Sequence, residues 1–488
     1  MDLLTPQHER FWLKVIFPGL LALSVASYIY FGQRYIGACD WYGYYQEAQL
    51  LANGQLQLDT PLPAAQFPSQ VPLGFAAING RTLPQYPPGY PLLLGAAGAF
   101  GLEFFVSPCI GLLSTLLLFA ILRQQTTSLT ASLFAVLWAA SAIVVYGSTF
   151  VMSDLLATTC LLGAYWAYRR DQLFLSALIF GYGITVRPSN LLLAPTLVIL
   201  LWVDPRRWRY LLYLLVPGSL YGWYNTIMFD APWRTGYLDI TPDLSPAVFV
   251  QHSLFYLRVT LLQFSPLLLF WAVYTWRRPS REKAAWALSF LGFWLFYSFW
   301  RSGGDRWWWC RFLLPGYPAL FILAAMGFHE WRERRQALDV AAPHARRWLV
   351  PVMTLLLALL PIYLVAYGYW QHDLWKTNKG RDYYRVAKQV ETLVPPGSYV
   401  GSIEFCGSMR LYTPQLQPFL SFHDNAHDLL AYTMPRGHAA YVLVEPWNRQ
   451  HVGIQKLLHH FSATKVSVLN IWGGIELYQL NPPAPPSP

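Results

Sequence analysis

Long apolar runs separated by short arginine clusters limit what this chain can fold into. Only 12% of its residues are charged and 55% are apolar, whereas soluble globular proteins carry about 25% charged residues. A water-soluble chain of 488 residues needs several domains, each with a charged surface. There is too little charge to cover them. The apolar content excludes disorder, and five cysteines are too few for a disulfide scaffold. What remains is a mostly α-helical, polytopic membrane protein. Lys plus Arg (35) exceeds Asp plus Glu (25), giving +10. A nucleic-acid partner calls for that excess on one face or tail. Here much of it sits in clusters between apolar runs: Arg169-Arg170, Arg206-Arg207 with Arg209, Arg277-Arg278 with Arg281 and Lys283, Arg332 to Arg335, and Arg346-Arg347. This is a topology signal and argues against nucleic acid.

A hydrocarbon core about 30 Å thick takes roughly 20 apolar residues per helix. By that measure about eleven transmembrane helices are expected, near 11–31, 104–122, 128–146, 154–168, 172–187, 188–203, 209–228, 258–276, 284–300, 312–328 and 348–369. With a cytoplasmic N-terminus, the gaps 123–127, 169–171, 204–208, 277–283 and 329–347 are cytoplasmic. They hold every arginine cluster, as the positive-inside rule requires. Segment 89–103 is then re-entrant or interfacial, because a further span there inverts everything downstream. The first apolar run lacks a small-residue cleavage site and reads as a retained anchor. The expected location is the cell (inner) membrane, multi-pass, with 32–103 and the tail after about 370 on the outer face.

In the tail, helix-like runs (382–393, 423–432, 449–461) alternate with strand-like ones (399–403, 441–444, 465–469, 475–478). The alternation predicts a small α/β domain over 371–480, after a transmembrane domain over 1–370. The Pro-rich residues 481–488 are expected to be disordered.

The informative polar residues are those the topology leaves at outer helix ends. Asp40, in CDWYGYYQEAQLLANGQL, lies near the headgroup plane. It suits either a catalytic base or an acid within an interfacial aromatic belt. Asp154, in MSDLLAT, reads as a site acid or a helix N-cap. Arg187, in GITVRPSN, is an ionisable group at the membrane, hence functional or ion-paired. The segment WRSGGDRWWWCRFLLP sets Arg301, Arg306 and Arg311 around Asp305, a glycine pair and three tryptophans. Guanidinium forks suit phosphate oxygens, and indoles pack on isoprenoid or sugar faces. The prolines of QYPPGYP enforce a rigid turn whose Tyr86 and Tyr90 line either a pocket or a loop. No Lys-Ser or Lys-Thr phosphate loop, HExxH, CxxC or GxSxG occurs, so ATP hydrolysis and the common metal and serine hydrolases find no support.

Together the runs DWYGYYQEAQLLANG, YPPGYPLLLG, MSDLLAT, GITVRPSN and GGDRWWWCRFLLPGYPAL resemble the C-type (GT-C) integral-membrane glycosyltransferases that use polyprenyl-phosphate sugars. The likeness is to the branch with protein O-mannosyltransferases and lipid A aminoarabinose transferases, and it covers roughly 1–370 and, loosely, the α/β tail. It implies an inverting sugar transfer from a polyprenyl-phosphate donor to an acceptor glycan, lipid or protein at the outer interface. Asp40 is then the catalytic base, and Asp154 a second catalytic residue that positions the acceptor, assists Asp40 or helps hold a cation. Tyr86, Arg187, Arg301, Asp305, Arg306 and Arg311 are then substrate-binding. Some relatives use a divalent cation. Asp40 and Glu47, seven residues apart, leave that open, and no metal ligand is assigned. The aminoarabinose transferases carry a lysine where this chain has Tyr86, which removes a lysine contact to phosphate. A transporter or flippase of a lipid-linked glycan is the alternative, and a non-catalytic scaffold a third reading. Transport favours polar groups at mid-span, whereas here they gather at one face.

Overall fold

The computed structural model describes residues 6–202, 205–237, 239–304, 306–341, 348–372 and 374–482. Asp305, the Arg346-Arg347 cluster and residues 483–488 of the Pro-rich tail lie outside them. The chain is mostly helical, with a small sheet region near its C-terminus. It divides into two compact units. One comprises Met1–Gly32, Phe104–Trp223 and Asp239–Thr377, and the other Gln33–Glu103, Tyr224–Leu238 and Asn378–Pro488.

The first unit is a helix assembly, in which the expected apolar segments are helical, in one to three pieces each. Three helices, Glu9–Tyr30, Glu103–Leu122 and Leu349–Trp370, are long and apolar enough to cross a membrane. The number rises to six if each of three bent pairs is one span. The breaks have local causes. Trp12–Ile16 is a π-helical turn just before Pro18, where a proline ring would clash with the carbonyl one turn earlier. Helix Phe249–Phe264 stops at Ser265, with φ 72, before Pro266, and the chain turns through 101°. Helix Leu173–Val186 stops because Arg187 precedes Pro188 and is held extended, φ −147 and ψ 113.

The five arginine-bearing gaps are tied to one another. Glu282 pairs with Arg169 at 3.0 Å and accepts from Gln125 at 2.5 Å. Lys283 pairs with Glu330 at 2.6 Å, and Arg207 lies 3.9 Å from Asp171. Contacts among all five segments put them on one face of the helix assembly, as a membrane topology with short charged loops requires.

The second unit holds two sheets. Strands β1 (Phe75–Ile78) and β2 (Arg81–Pro84) form an antiparallel hairpin. Its turn is Asn79-Gly80, with φ 51 and 78, the positive pair a type I′ turn demands. The tail contributes β3 (Tyr399–Ser402), β4 (Gln417–Leu420), β5 (Ala440–Val444), β6 (Ser462–Leu469) and β7 (Ile475–Asn481), in the order β4-β3-β5-β7-β6. The first three are parallel, whereas β7 runs antiparallel to both β5 and β6. Alternate residues of β5 feed two cores, Val442 and Val444 with Leu429, Ile454 and Phe461, and Tyr441 and Leu443 with Val386, Met409 and Ile475. Both faces are therefore covered, and all five β5 residues are buried. Phe67, from the first outer loop, belongs to the former core. The Ile36 N–H donates to the Tyr412 hydroxyl at 2.7 Å, and Tyr42 packs its ring against Gly407. The helix Gly89–Gly98 has ten residues, about 15 Å at 1.5 Å per residue, half of what a crossing needs.

Candidate active site

Asp40 is the second residue of the helix Cys39–Ala52, where the positive end of the helix dipole favours a carboxylate. The residue before that helix, Ala38, has φ 29, a backbone region costing about 1–3 kcal/mol for a residue with a side chain. The Tyr86 hydroxyl donates to Asp40 Oδ1 at 2.6 Å. Tyr86 is fixed by stacking on Tyr44, centroids 4.4 Å apart, with Tyr237 edge-on at 6.2 Å. Tyr90 in turn closes on Tyr44 at 5.3 Å. Gly43 and Gly74 make room, since a Cβ on Gly43 would enter the Tyr86 ring. Burial, and next the negative charge of Asp40, push the Tyr86 phenol well above its usual range. It therefore keeps its proton and acts as a donor.

Glu47, one helix face away from Asp40, is fully buried. Burial drives its carboxyl well above the usual range, with Tyr224 opposing that shift. Among the described residues no three His, Cys, Asp or Glu side chains converge on a metal-sized site.

In the helical unit a second group assembles. Asp154 opens the helix Asp154–Arg169 and forms an ion pair with Arg187, their side chains 4% and 12% exposed. The Pro188 break is what frees Arg187 from its helix to make this contact. The paired alternative for Arg187 is thus realised, and Asp154 meets a cation from 33 residues away. Arg187 and Arg311 both stack against Phe312, each 5.2 Å from its centroid. Arg311 also reaches Met152 Sδ at 3.5 Å. Arg306 stacks on Trp308 at 5.0 Å. Arg301 is exposed, and its backbone N–H donates to the Asp243 carbonyl at 2.7 Å. The structure therefore gathers Asp154, Arg187 and Arg311 around Phe312, and Asp40 with Tyr86. It shows no contact of the Arg301 side chain with either group.

Sequence reasoning missed His252, which is 3% exposed, lies against Gly304 and has a buried Nδ1 without a hydrogen-bond partner. The signal was Gly304 itself, at φ 81, since a Cβ there would meet the imidazole. It also missed the Tyr44 and Tyr237 rings that fix Tyr86. Tyr44 stood in the same motif as Asp40.

No family model matches this sequence, and no curated protein matches it. Solved structures do. ArnT from Cupriavidus metallidurans in the apo state superposes with a TM-score of 0.60 at 15% identity, covering 96% of this chain and 98% of that one. The same protein bound to undecaprenyl phosphate gives 0.61 at 14% identity, with the same coverage. The archaeal oligosaccharyltransferase AglB from Archaeoglobus fulgidus, in complex with an inhibitory peptide and a dolichol-phosphate, gives 0.57 at 11% identity, covering 95% of this chain and 74% of that one. The likeness extends over almost the whole chain, tail included. This chain has the GT-C fold to which its motifs pointed, the fold it shares with ArnT and AglB.

Proposed function

We propose that this protein is an inverting glycosyltransferase of the membrane, moving a sugar from a polyprenyl-phosphate donor to an acceptor hydroxyl or amine at the outer interface. The observation that carries this reading is Asp40, a carboxylate at a helix start whose orientation is set by a protonated Tyr86 at 2.6 Å. That arrangement suits a general base, because its hydrogen-bonded oxygen is fixed and its second oxygen can take a proton. The solved neighbours, ArnT bound to undecaprenyl phosphate and AglB in complex with a dolichol-phosphate, support a polyprenyl-phosphate ligand.

In the proposed reaction Asp40 accepts the proton of the acceptor hydroxyl as its oxygen attacks the anomeric carbon. The bond from that carbon to the phosphate oxygen breaks, and the polyprenyl phosphate leaves with the electron pair. Attack opposite the leaving group inverts the centre. Arg187 and Arg311 are the first candidates to stabilise the charge on the departing phosphate, with Arg306 and Arg301 as further ones. Such preorganised donors are commonly a large part of catalysis. Asp154 holds Arg187 in place. The 1–370 transmembrane domain, the 371–480 outer domain and a cytoplasmic N-terminus belong to the same proposal.

The test is reconstitution of the purified protein in vesicles with undecaprenyl-phosphate-linked mannose, glucose, arabinose and aminoarabinose. Transfer releases undecaprenyl phosphate and leaves a product of inverted anomeric configuration by NMR. If donors cross the bilayer without any release, the protein is a flippase instead. Tyr86→Phe should lower turnover by roughly one to two orders of magnitude, since a hydrogen bond to a charged group is worth about 1.5–3 kcal/mol. Initial rates of the variant equal to wild type would remove Tyr86 from the site.

A further inference from the structure

Strands β4, β3 and β5 are adjacent and parallel, so their carboxyl ends share one edge of the sheet. In open α/β sheets that edge is where ligands bind. Just past those ends lie Ser421, Asn425, Glu445 and Asn448. Each has a buried polar atom without a hydrogen-bond partner: Ser421 Oγ, Asn425 Oδ1, Glu445 Oε2 and Asn448 Nδ2. Ser421 and Glu445 are both 0% exposed.

Three of these groups, Ser421, Glu445 and Asn448, are linked through Ser402. The Ser421 N–H donates to the Ser402 carbonyl at 3.2 Å, and the Ser402 hydroxyl donates to Glu445 Oε1 at 3.3 Å. The Glu445 N–H donates to Asn448 Oδ1 at 3.0 Å. A buried polar group left unsatisfied costs about 1–3 kcal/mol, so four at one sheet edge mark a place where a polar ligand supplies the missing partners. Beside them Trp447, 52% exposed, sets its ring 5.4 Å from Trp472, which packs on Phe405 at 5.2 Å.

The chemistry selects the ligand. Two acceptor oxygens, Asn425 Oδ1 and Glu445 Oε2, stand beside two donors, the Ser421 hydroxyl and the Asn448 amide, and the carboxylates there are Glu445 and its neighbour Glu404. The neighbouring cation, Arg449, is held by Glu476 at 2.5 Å. A phosphate or carboxylate would meet repulsion, and a purely apolar molecule would leave the four atoms unsatisfied. A sugar offers hydroxyl donors to the carboxylate and amide oxygens, and a C–H face to an indole.

We propose that the carboxyl edge of β4, β3 and β5 is a carbohydrate pocket that holds the sugar part of the acceptor, with Glu445 and Trp447 as its main contacts. The acceptor role rests on the glycosyltransferase reading, whereas sugar binding does not. Burial pushes the Glu445 carboxyl up to about 7, which lets it donate as well as accept near neutral pH. Glu404 lies close enough for its charge to act on both Glu445 and Cys39, the residue before Asp40.

The experiment is saturation-transfer NMR on the full chain in nanodiscs, with methyl α-mannoside, N-acetylglucosamine and methyl arabinofuranoside as probes. At least one sugar should receive saturation. Trp447→Ala and Glu445→Ala should each weaken that binding by about tenfold, the equivalent of one lost strong hydrogen bond. Trp447 is exposed, so its variant keeps the test valid if Glu445→Ala fails to fold. Three silent probes, meaning a pocket that holds water only, or variants that bind like wild type, would overturn the proposal. Asp40→Asn separates the two readings, because it should bind sugar as wild type does. Sugar binding by a wild-type protein that transfers nothing would sink the transferase and leave the pocket standing. Transfer with no sugar binding would do the reverse.

Discussion

Asp40→Asn is expected to stop sugar transfer while leaving the protein folded and able to bind undecaprenyl phosphate. The amide cannot take the acceptor proton, yet it is nearly isosteric and still accepts the Tyr86 hydrogen bond seen at 2.6 Å. Loss of a general base costs roughly 10²–10⁴-fold in rate, so the residual turnover should lie that far below wild type. Three measurements on one preparation suffice: thermal unfolding, undecaprenyl phosphate binding and release of the sugar from the donor. Turnover at the wild-type rate would remove Asp40 as the base. Loss of folding along with turnover would assign it a structural role at the strained Ala38–Cys39 entry to its helix.

The second large effect concerns Arg187. Its ion pair with Asp154 is almost fully enclosed, the side chains 12% and 4% exposed. Deleting one member of such a pair leaves the other charge buried alone, at a cost of about 3–5 kcal/mol. Arg187→Ala should therefore lower the Tm of the purified protein sharply and abolish transfer. The double variant Arg187→Ala/Asp154→Ala tests the cause, since removing both charges should restore much of the Tm and none of the activity. Arg187→Lys should keep most of the stability yet transfer poorly, because an ammonium lacks the planar fork that grips a carboxylate or phosphate. A double variant with wild-type turnover would exclude both residues from catalysis.

How far these features could be read in advance follows from the range of the forces behind them. The apolar helices were legible because burial in lipid acts on composition over some twenty residues. Their bends at Ser141 and Ser265 were not, since a break depends on the backbone angles of one residue, ψ 139 at Ser141 and φ 72 at Ser265. In the tail, β3, β5, β6 and β7 appeared as β-rich runs, whereas β4 was missed because Pro418 sits inside it. A proline cannot donate to the ladder, and β4 is indeed an edge strand, where that is tolerated. The β1–β2 hairpin carried its own signal, Asn79-Gly80, which was passed over.

The pairings that build the candidate site were the least legible. Asp40 with Tyr86 spans 46 residues, and Asp154 with Arg187 spans 33. Asp40, Asp154 and Arg187 were picked out singly as polar groups at the expected outer helix ends, and Tyr86 by the proline turn that carries it. That Tyr86 faces Asp40, and that Asp154 faces a guanidinium, depends on the packing of several elements. The same holds for Glu445, whose neighbours Ser402, in a strand-like run, and Asn448, beside a helix-like one, carry no such signal until the strands are placed side by side.

The core shared by the first outer loop and the tail also orders events in time. Ile36 and its partner Tyr412 are 376 residues apart, and ribosomes add about 5–20 residues per second. The segment carrying Asp40 is therefore made roughly 20–75 s before the strands and helices that complete its packing. During that interval Tyr42 and Phe67 have no tail to bury them, and the strained Ala38 turn has nothing to hold it. A nascent chain can thus insert its helices while the segment carrying Asp40 stays open to proteases until Tyr412 and the strands around it are made.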